Sequence, residues 1–346
     1  MSEHEPPEDK VRDIGLKAIR DARLERTRSK TGRIGGKTML SAILSVITIV
    51  AVAWMYRERS LGAQKEEVLS KQRAAIATVG AQWFPLRDRL EKLTLEAAGA
   101  YKGDAVDPGA AQWDFRGLPG IYLRMRVEDA KDAEALRKRA KESARDSFVG
   151  CLLRENNPSL AAMARGEQDA GTGWQDQPWN LRLAYASTRI LTDEWAAEVK
   201  NAEDELHLRV FVQQYDKAKT EEIPLAIDIV TRAQFFLLVL DEDVPEAQAL
   251  LGDAGAKSSS VHEEALQQVA HPTRVHIVDL RAKDGAKEMV RLRREAEADF
   301  RFAGEHTIRD RSVLAAVKRQ VNNCALAQTV WASIRPAPAA ADGGAE

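Results

Sequence analysis

TMLSAILSVITIVAVAWMY, residues 38–56, runs nineteen residues without a charged side chain and is bounded by Lys37 and Arg57. As an α-helix rising about 1.5 Å per residue it reaches about 28 Å, close to the ~30 Å hydrocarbon core of a bilayer. Trp54 and Tyr56 stand at its C-terminal end, where amphipathic rings favour the headgroup layer. A helix inside a soluble core is usually shorter or broken by polar residues. The stretch therefore predicts a single-pass transmembrane helix over 38–56, with the lipid bilayer as its partner.

The flanks predict its direction. Residues 17–37 hold eight basic and two acidic side chains, and residues 57–73 hold five basic and three acidic. Lysine and arginine are retained on the cytoplasmic side, so residues 1–37 read as a cytoplasmic basic tail and the rest as extracytoplasmic. The rival reading is a cleaved secretory signal, with Ala51-Val52-Ala53 as the small-residue site. Either reading places the bulk of the chain outside the cytoplasm. The two cysteines, Cys151 and Cys324, both lie beyond the apolar stretch. In an oxidising compartment they form a candidate disulfide; the alternative is two separate buried thiols.

Composition bounds the remainder. Hydrophobic residues make up 44% of the 346 and charged residues 30%, enough apolar material to build a core. The tail to Lys37 carries a net charge of +3 and the rest −5. A weakly acidic domain lacks the electrostatic footprint of a nucleic-acid binder, so no nucleic-acid partner is expected.

Past the apolar stretch, Leu69, Ile76, Trp83, Leu90 and Ala97 recur every seven residues, with Val79, Leu86 and Leu93 between them. This predicts a helical stalk or coiled coil over 57–98, broken or kinked at Pro85. The seam suits self-association through the stalk or a helix laid on its own domain, the commoner use of an amphipathic helix. Residues 99–335 read as an extracytoplasmic α+β domain with a mixed sheet of about five strands and several helices. The strands are Ile121–Val127, Leu206–Val212, Phe235–Leu240, Arg274–Leu280 and Met289–Arg293, the last two forming a hairpin about Lys283-Asp284-Gly285-Ala286. Helices are expected at 129–149, 157–164, 179–203, 221–234, 261–270 and 306–333. Residues 336–346 read as a disordered tail.

Motifs of known chemistry are incomplete. Gly35-Gly36-Lys37-Thr38 resembles the end of a phosphate-binding loop, but Thr31 stands where the first glycine belongs. His262-Glu263-Glu264-Ala265-Leu266 opens like a zinc-protease helix, but Leu266 replaces the second histidine that would share the metal. His271 and His276 lie nearby without ligand spacing. Asp241, Glu242 and Asp243 end the apolar strand and have the chemistry of an acid–base pair, or of a solvated strand terminus. No cofactor, metal or catalytic residue is assigned. Trp174 and Trp179 bracket a polar loop and are the candidate interaction residues.

These features favour a membrane-anchored, non-enzymatic envelope protein acting as a scaffold or interaction subunit with protein partners. A ligand-binding or sensory domain signalling through a partner is the alternative. A membrane-tethered hydrolase is the third reading, resting on the acidic strand end and the histidines alone.

Overall fold

The computed structural model describes residues 21, 23, 36–143, 146–153, 179–251, 259–283, 285–295 and 310–335. Trp174, the helix expected at 157–164, residue 284 of the hairpin turn and the 336–346 tail lie outside the described residues. The chain divides into a unit ending at Glu66 and a compact unit running from Glu67.

In the first unit, α1 (Gly36–Ala75) begins and carries the apolar stretch. It is a helix long and apolar enough to cross a membrane. Its large side chains are exposed over the whole stretch, including Leu44 at 63%, Ile49 at 67% and Trp54 at 67%. An apolar surface of this extent is costly in water and suited to lipid.

The second unit starts within the same helix. From Val68 onward the exposed surface gives way to a buried stripe of Val68, Leu69, Gln72 and Ala75. A π-helical turn over Ile76–Gly80 leads into α2 (Ala81–Ala98), which contains Pro85. The sequence predicts a break or a kink at this proline; the chain stays helical through it, without a break. The ring lacks the N–H that would bond the Ala81 carbonyl and crowds that turn, the first of α2. Trp83 and Leu90 of the heptad seam are 1% and 3% exposed. The seam is therefore covered by the chain's own domain.

The strands and helices that follow are β1 (Ala105–Val106), β2 (Gly120–Arg126), α3 (Ala133–Ala140), α4 (Phe148–Leu153) and β3 (Trp179–Asn180). Next come α5 (Arg182–Ser187), α6 (Asp193–Lys200), α7 (Glu205–Lys217), α8 (Ile223–Arg232) and β4 (Phe235–Asp241). The chain closes with α9 (Pro245–Leu251), α10 (Ser259–Leu266), β5 (Pro272–Asp279), β6 (Lys287–Glu295) and α11 (Arg311–Ile334).

The fold is α+β around one mixed, six-stranded sheet of order β1-β6-β5-β4-β2-β3. β3, β2 and β4 run parallel, and the pairings β4–β5, β5–β6 and β6–β1 are antiparallel. β4 sits near the middle with all seven residues buried, as its unbroken apolar run implies. The β5–β6 hairpin forms as its turn residues imply, and Gly285 holds a φ of 106° there, open to glycine at little cost. The two additional strands, β1 and β3, are two-residue edge pairings with no sequence period to reveal them.

Three expectations are corrected. Leu206–Val212 is not a strand but lies within α7, where Asp204 accepts the His207 N–H at 2.8 Å as its N-cap. The helix expected at 129–149 is split, with α3 ending at Ala140 and α4 starting at Phe148. The helix expected at 179–203 is also divided: Trp179–Asn180 is β3, and a 3-10 turn at Thr188–Leu191 separates α5 from α6.

One sheet face presents Tyr122, Phe235, Leu237, Val239, Val275 and Ile277 to α4 and α11. Cys151 of α4 and Cys324 of α11 are joined there as a disulfide between buried residues. The bond closes a separation of 173 residues, for which the chain-entropy model gives at most about 5 kcal/mol. On the opposite face, Phe236 and Leu238 lie beneath α2. Arg274, from the same face, donates Nη1 to the Gly99 carbonyl at 2.6 Å and so caps the end of α2.

Candidate functional site

β2 and β4 run parallel and end together, and two arginines of β2 lie on the face that carries Val239 and Asp241 of β4. Arg124 is 2% exposed. Its Nε and Nη2 donate to the two oxygens of Asp241 at 2.7 and 2.9 Å, a bidentate pair. Its Nη1 donates to Asp146 at 3.1 Å and to Asn323 Oδ1 of α11 at 2.6 Å. Asp241 accepts further from Thr273 Oγ1 at 3.1 Å and meets His271 Nε2 at 2.9 Å. His271 Nδ1 lies 3.0 Å from the Val269 carbonyl. Both neighbours of this ring only accept, so both bonds form together only when it is protonated.

These contacts explain how a charged group survives inside the sheet. Burial pushes the Asp241 carboxyl upward, but the Arg124 and His271 charges outweigh it and hold it well below the usual carboxylate range. Asp146 accepts from Tyr122 and from the Phe148 N–H, which starts α4. The inner shell is thus saturated and joins β2, β4, β5, α4 and α11.

An outer shell lies one step toward the strand ends. Arg126 donates to both oxygens of Asp129 at 2.9 Å and to Asp243 Oδ2 at 3.0 Å. Its Nη1 also lies 3.2 Å from His262 Nδ1. A guanidinium only donates, so that nitrogen accepts and the proton of the neutral ring sits on Nε2. His262 Nε2 and Asp243 Oδ1 are 3.6 Å apart, too far to bond, and both are buried without a hydrogen-bond partner. Glu263, beside His262 on α10, is 4% exposed. Burial, then the charges of Asp241 and Asp129, push its carboxyl up to about 8.

The structure therefore gathers Asp241, Asp243, His262 and His271 at one end of the sheet. Glu242 points elsewhere, pairing with Arg274 and Arg293 at 2.7 Å each. His276 lies on the opposite face, with Nδ1 2.7 Å from Glu288. Trp179 is half-buried in β3 and pairs with Ile121, at the far end of β2 from this cluster. Among the described residues no group of three or more His, Cys, Asp or Glu side chains is arranged to hold a metal ion.

Sequence reasoning missed Arg124, Arg126, Asp146 and Glu263. The two arginines alternate with apolar residues in β2 and so resemble one solvated strand face. The available signal was the acidic end of β4, where a carboxylate buried at the end of an apolar run requires a cation nearby.

Chemically, the inner shell is spent on itself: four donors surround Asp241, and none of them is left to polarise a substrate. Neither a family model, nor a curated protein, nor a solved structure matches the chain.

Proposed function

We propose that this chain is a membrane-anchored, non-enzymatic envelope protein whose disulfide-braced domain works outside the cytoplasm as a scaffold or interaction subunit. The observation that carries the reading is the Cys151–Cys324 bond, between a pair of buried cysteines, in a chain with an exposed apolar helix ahead of it. Structural disulfides persist in oxidising compartments, and residues 38–56 are the means of holding the domain at a membrane there. The saturation of the inner shell around Arg124 and Asp241 argues against the hydrolase reading. The burial of Trp83 and Leu90 argues that a partner is met through a surface other than the heptad seam.

The test is a reporter cysteine at the exposed Gln213 of α7, probed in intact cells with a membrane-impermeant maleimide. The domain outside the cytoplasm gives labelling of Gln213→Cys without lysis, and wild-type protein that shows free thiols in denaturant only after reduction. Labelling that requires lysis, together with two free thiols in denatured wild type, overturns the proposal.

A further inference from the structure

α10 closes over the end of the sheet and adds Glu263, 4% exposed, to the aspartates already there. The cations around it are spent on those aspartates: Arg124 on Asp241 and Asp146, Arg126 on Asp129 and Asp243, and His271 on Asp241. Arg139 of α3 faces Asp129 and Glu142, and Arg319 of α11 takes Glu264. Glu246, the one charged residue of α9, is exposed. Among the described residues no cation bonds Glu263, so its burial requires the uncharged acid. Burial and the charges of Asp241 and Asp129 push its carboxyl up to about 8, in the direction this geometry demands. The residue before it carries the opposite condition. His262 Nδ1 accepts from Arg126 Nη1 at 3.2 Å, which only the neutral ring can do. A second proton on Nδ1 sets two donors against each other, and Arg126 is held in place by Asp129 and Asp243. Asp243 Oδ1 attracts an imidazolium only from 3.6 Å, farther than the contact that is lost.

We infer that α10 is a pH-sensitive strap, docked on the sheet end while Glu263 keeps its proton and His262 is neutral, and lifted as pH rises. An isolated eight-residue helix is not stable in water, so the lifted segment loses its backbone hydrogen bonds. Above the imidazole range, lifting releases the Glu263 proton to solvent. Within and below that range the freed His262 takes up a proton as Glu263 gives one up, and docking no longer depends on pH. His271 adds nothing on the acid side, since its two bonds are made by the protonated ring. The device is separate from the anchoring reading above.

Hydrogen exchange on the full chain in detergent, read by mass spectrometry and corrected for the intrinsic effect of pH, tests it. Protection of the amides of residues 263–267 is expected to stay nearly level from about pH 5.5 to 6.5, then to fall about tenfold by pH 8. That is the linkage of one proton between a docked carboxyl at about 8 and a free imidazole at about 6.5. β4 is expected to exchange more slowly than α10 at every pH, which makes the opening local. Glu263→Gln reverses the slope, because only the His262 condition remains. His262→Asn keeps an acceptor for Arg126 and takes no proton, so the fall extends down to about pH 5.5. The proposal is overturned by wild-type α10 protection that does not fall above about pH 6.5, or by the same fall in Glu263→Gln. It is also overturned by a His262→Asn profile that matches the wild type, or by equal protection of α10 and β4.

Discussion

Replacing Arg124 with methionine leaves Asp241 and Asp146 inside the sheet without their cation. Removing one member of a buried pair costs about 3–5 kcal/mol, because the remaining charge has no solvent. Urea denaturation of Arg124→Met is expected to show a loss of that order, and adding Asp241→Leu to recover part of it. Glu263 sets the opposite kind of pH dependence. Its folded carboxyl titrates near 8 against an ordinary 4.5. Between these values the unfolded chain has given up the proton and the folded chain has kept it, so stability falls as pH rises through that window. Glu263→Gln is expected to remove the fall, which amounts to at most about 5 kcal/mol. Melting temperatures from pH 5 to 8.5 measure it; parallel curves for the two proteins refute it. Asp241 acts in the other direction, adding stability that is lost only as pH drops below its ordinary 3.8. Much of this cluster was present in the sequence as Asp241, Asp243, His262 and His271. What was absent is the arginine side, because alternation along β2 describes two different faces, and only the sheet decides that both are buried.

At the level of elements, the legible ones have a single consistent period. β4 is apolar as far as Leu240, Gly285 follows an aspartate in the segment between β5 and β6, and α11 keeps a helical stripe. Residues 205–217 carry two periods at once. Leu206, Leu208, Val210 and Val212 alternate as in a strand, while the Asp204 cap and the Glu205–Arg209 pair at 2.8 Å favour a helix. Burial resolves the conflict: Leu208 and Tyr215, seven apart, are 3% and 2% exposed, whereas Leu206 is 70% exposed. A strand would put Leu206 and Leu208 on one face with equal cost; a helix separates them. Leu206→Asp is therefore expected to change stability by under about 0.5 kcal/mol, and Leu208→Asp to lower it by about 3 or more. Equal effects in thermal denaturation would contradict the helical assignment.

For the whole molecule, the question is where the folded domain begins. Heptad spacing places a separable stalk over 57–98 and a domain from 99, since a seam of that period serves a second copy as well as a domain. The compact unit instead starts at Glu67, and the helical residues after it are part of its core. Gln72 donates to the Ile190 and Thr192 carbonyls at 3.0 and 2.9 Å, and Tyr215 donates to the Lys71 carbonyl at 2.7 Å. Trp83 meets the edge of Tyr185 with ring centroids 6.1 Å apart, and Glu91, 3% exposed, takes a bidentate bond from Arg137. A fragment of residues 67–346 keeps all of these and sheds the apolar stretch, so it is expected to be soluble and to melt cooperatively. A fragment of residues 99–346 loses Val68, Leu69, Trp83 and Leu90, at about 1.5–3 kcal/mol each. It also strands Arg137 and uncovers the sheet face beneath α2. That sum is comparable to the entire stability of an ordinary domain, about 5–15 kcal/mol, so no cooperative transition is expected from it. Circular dichroism melts of the two fragments decide the matter: a sharp transition in the shorter one would restore the separable stalk, and with it the heptad seam as a surface for a second copy.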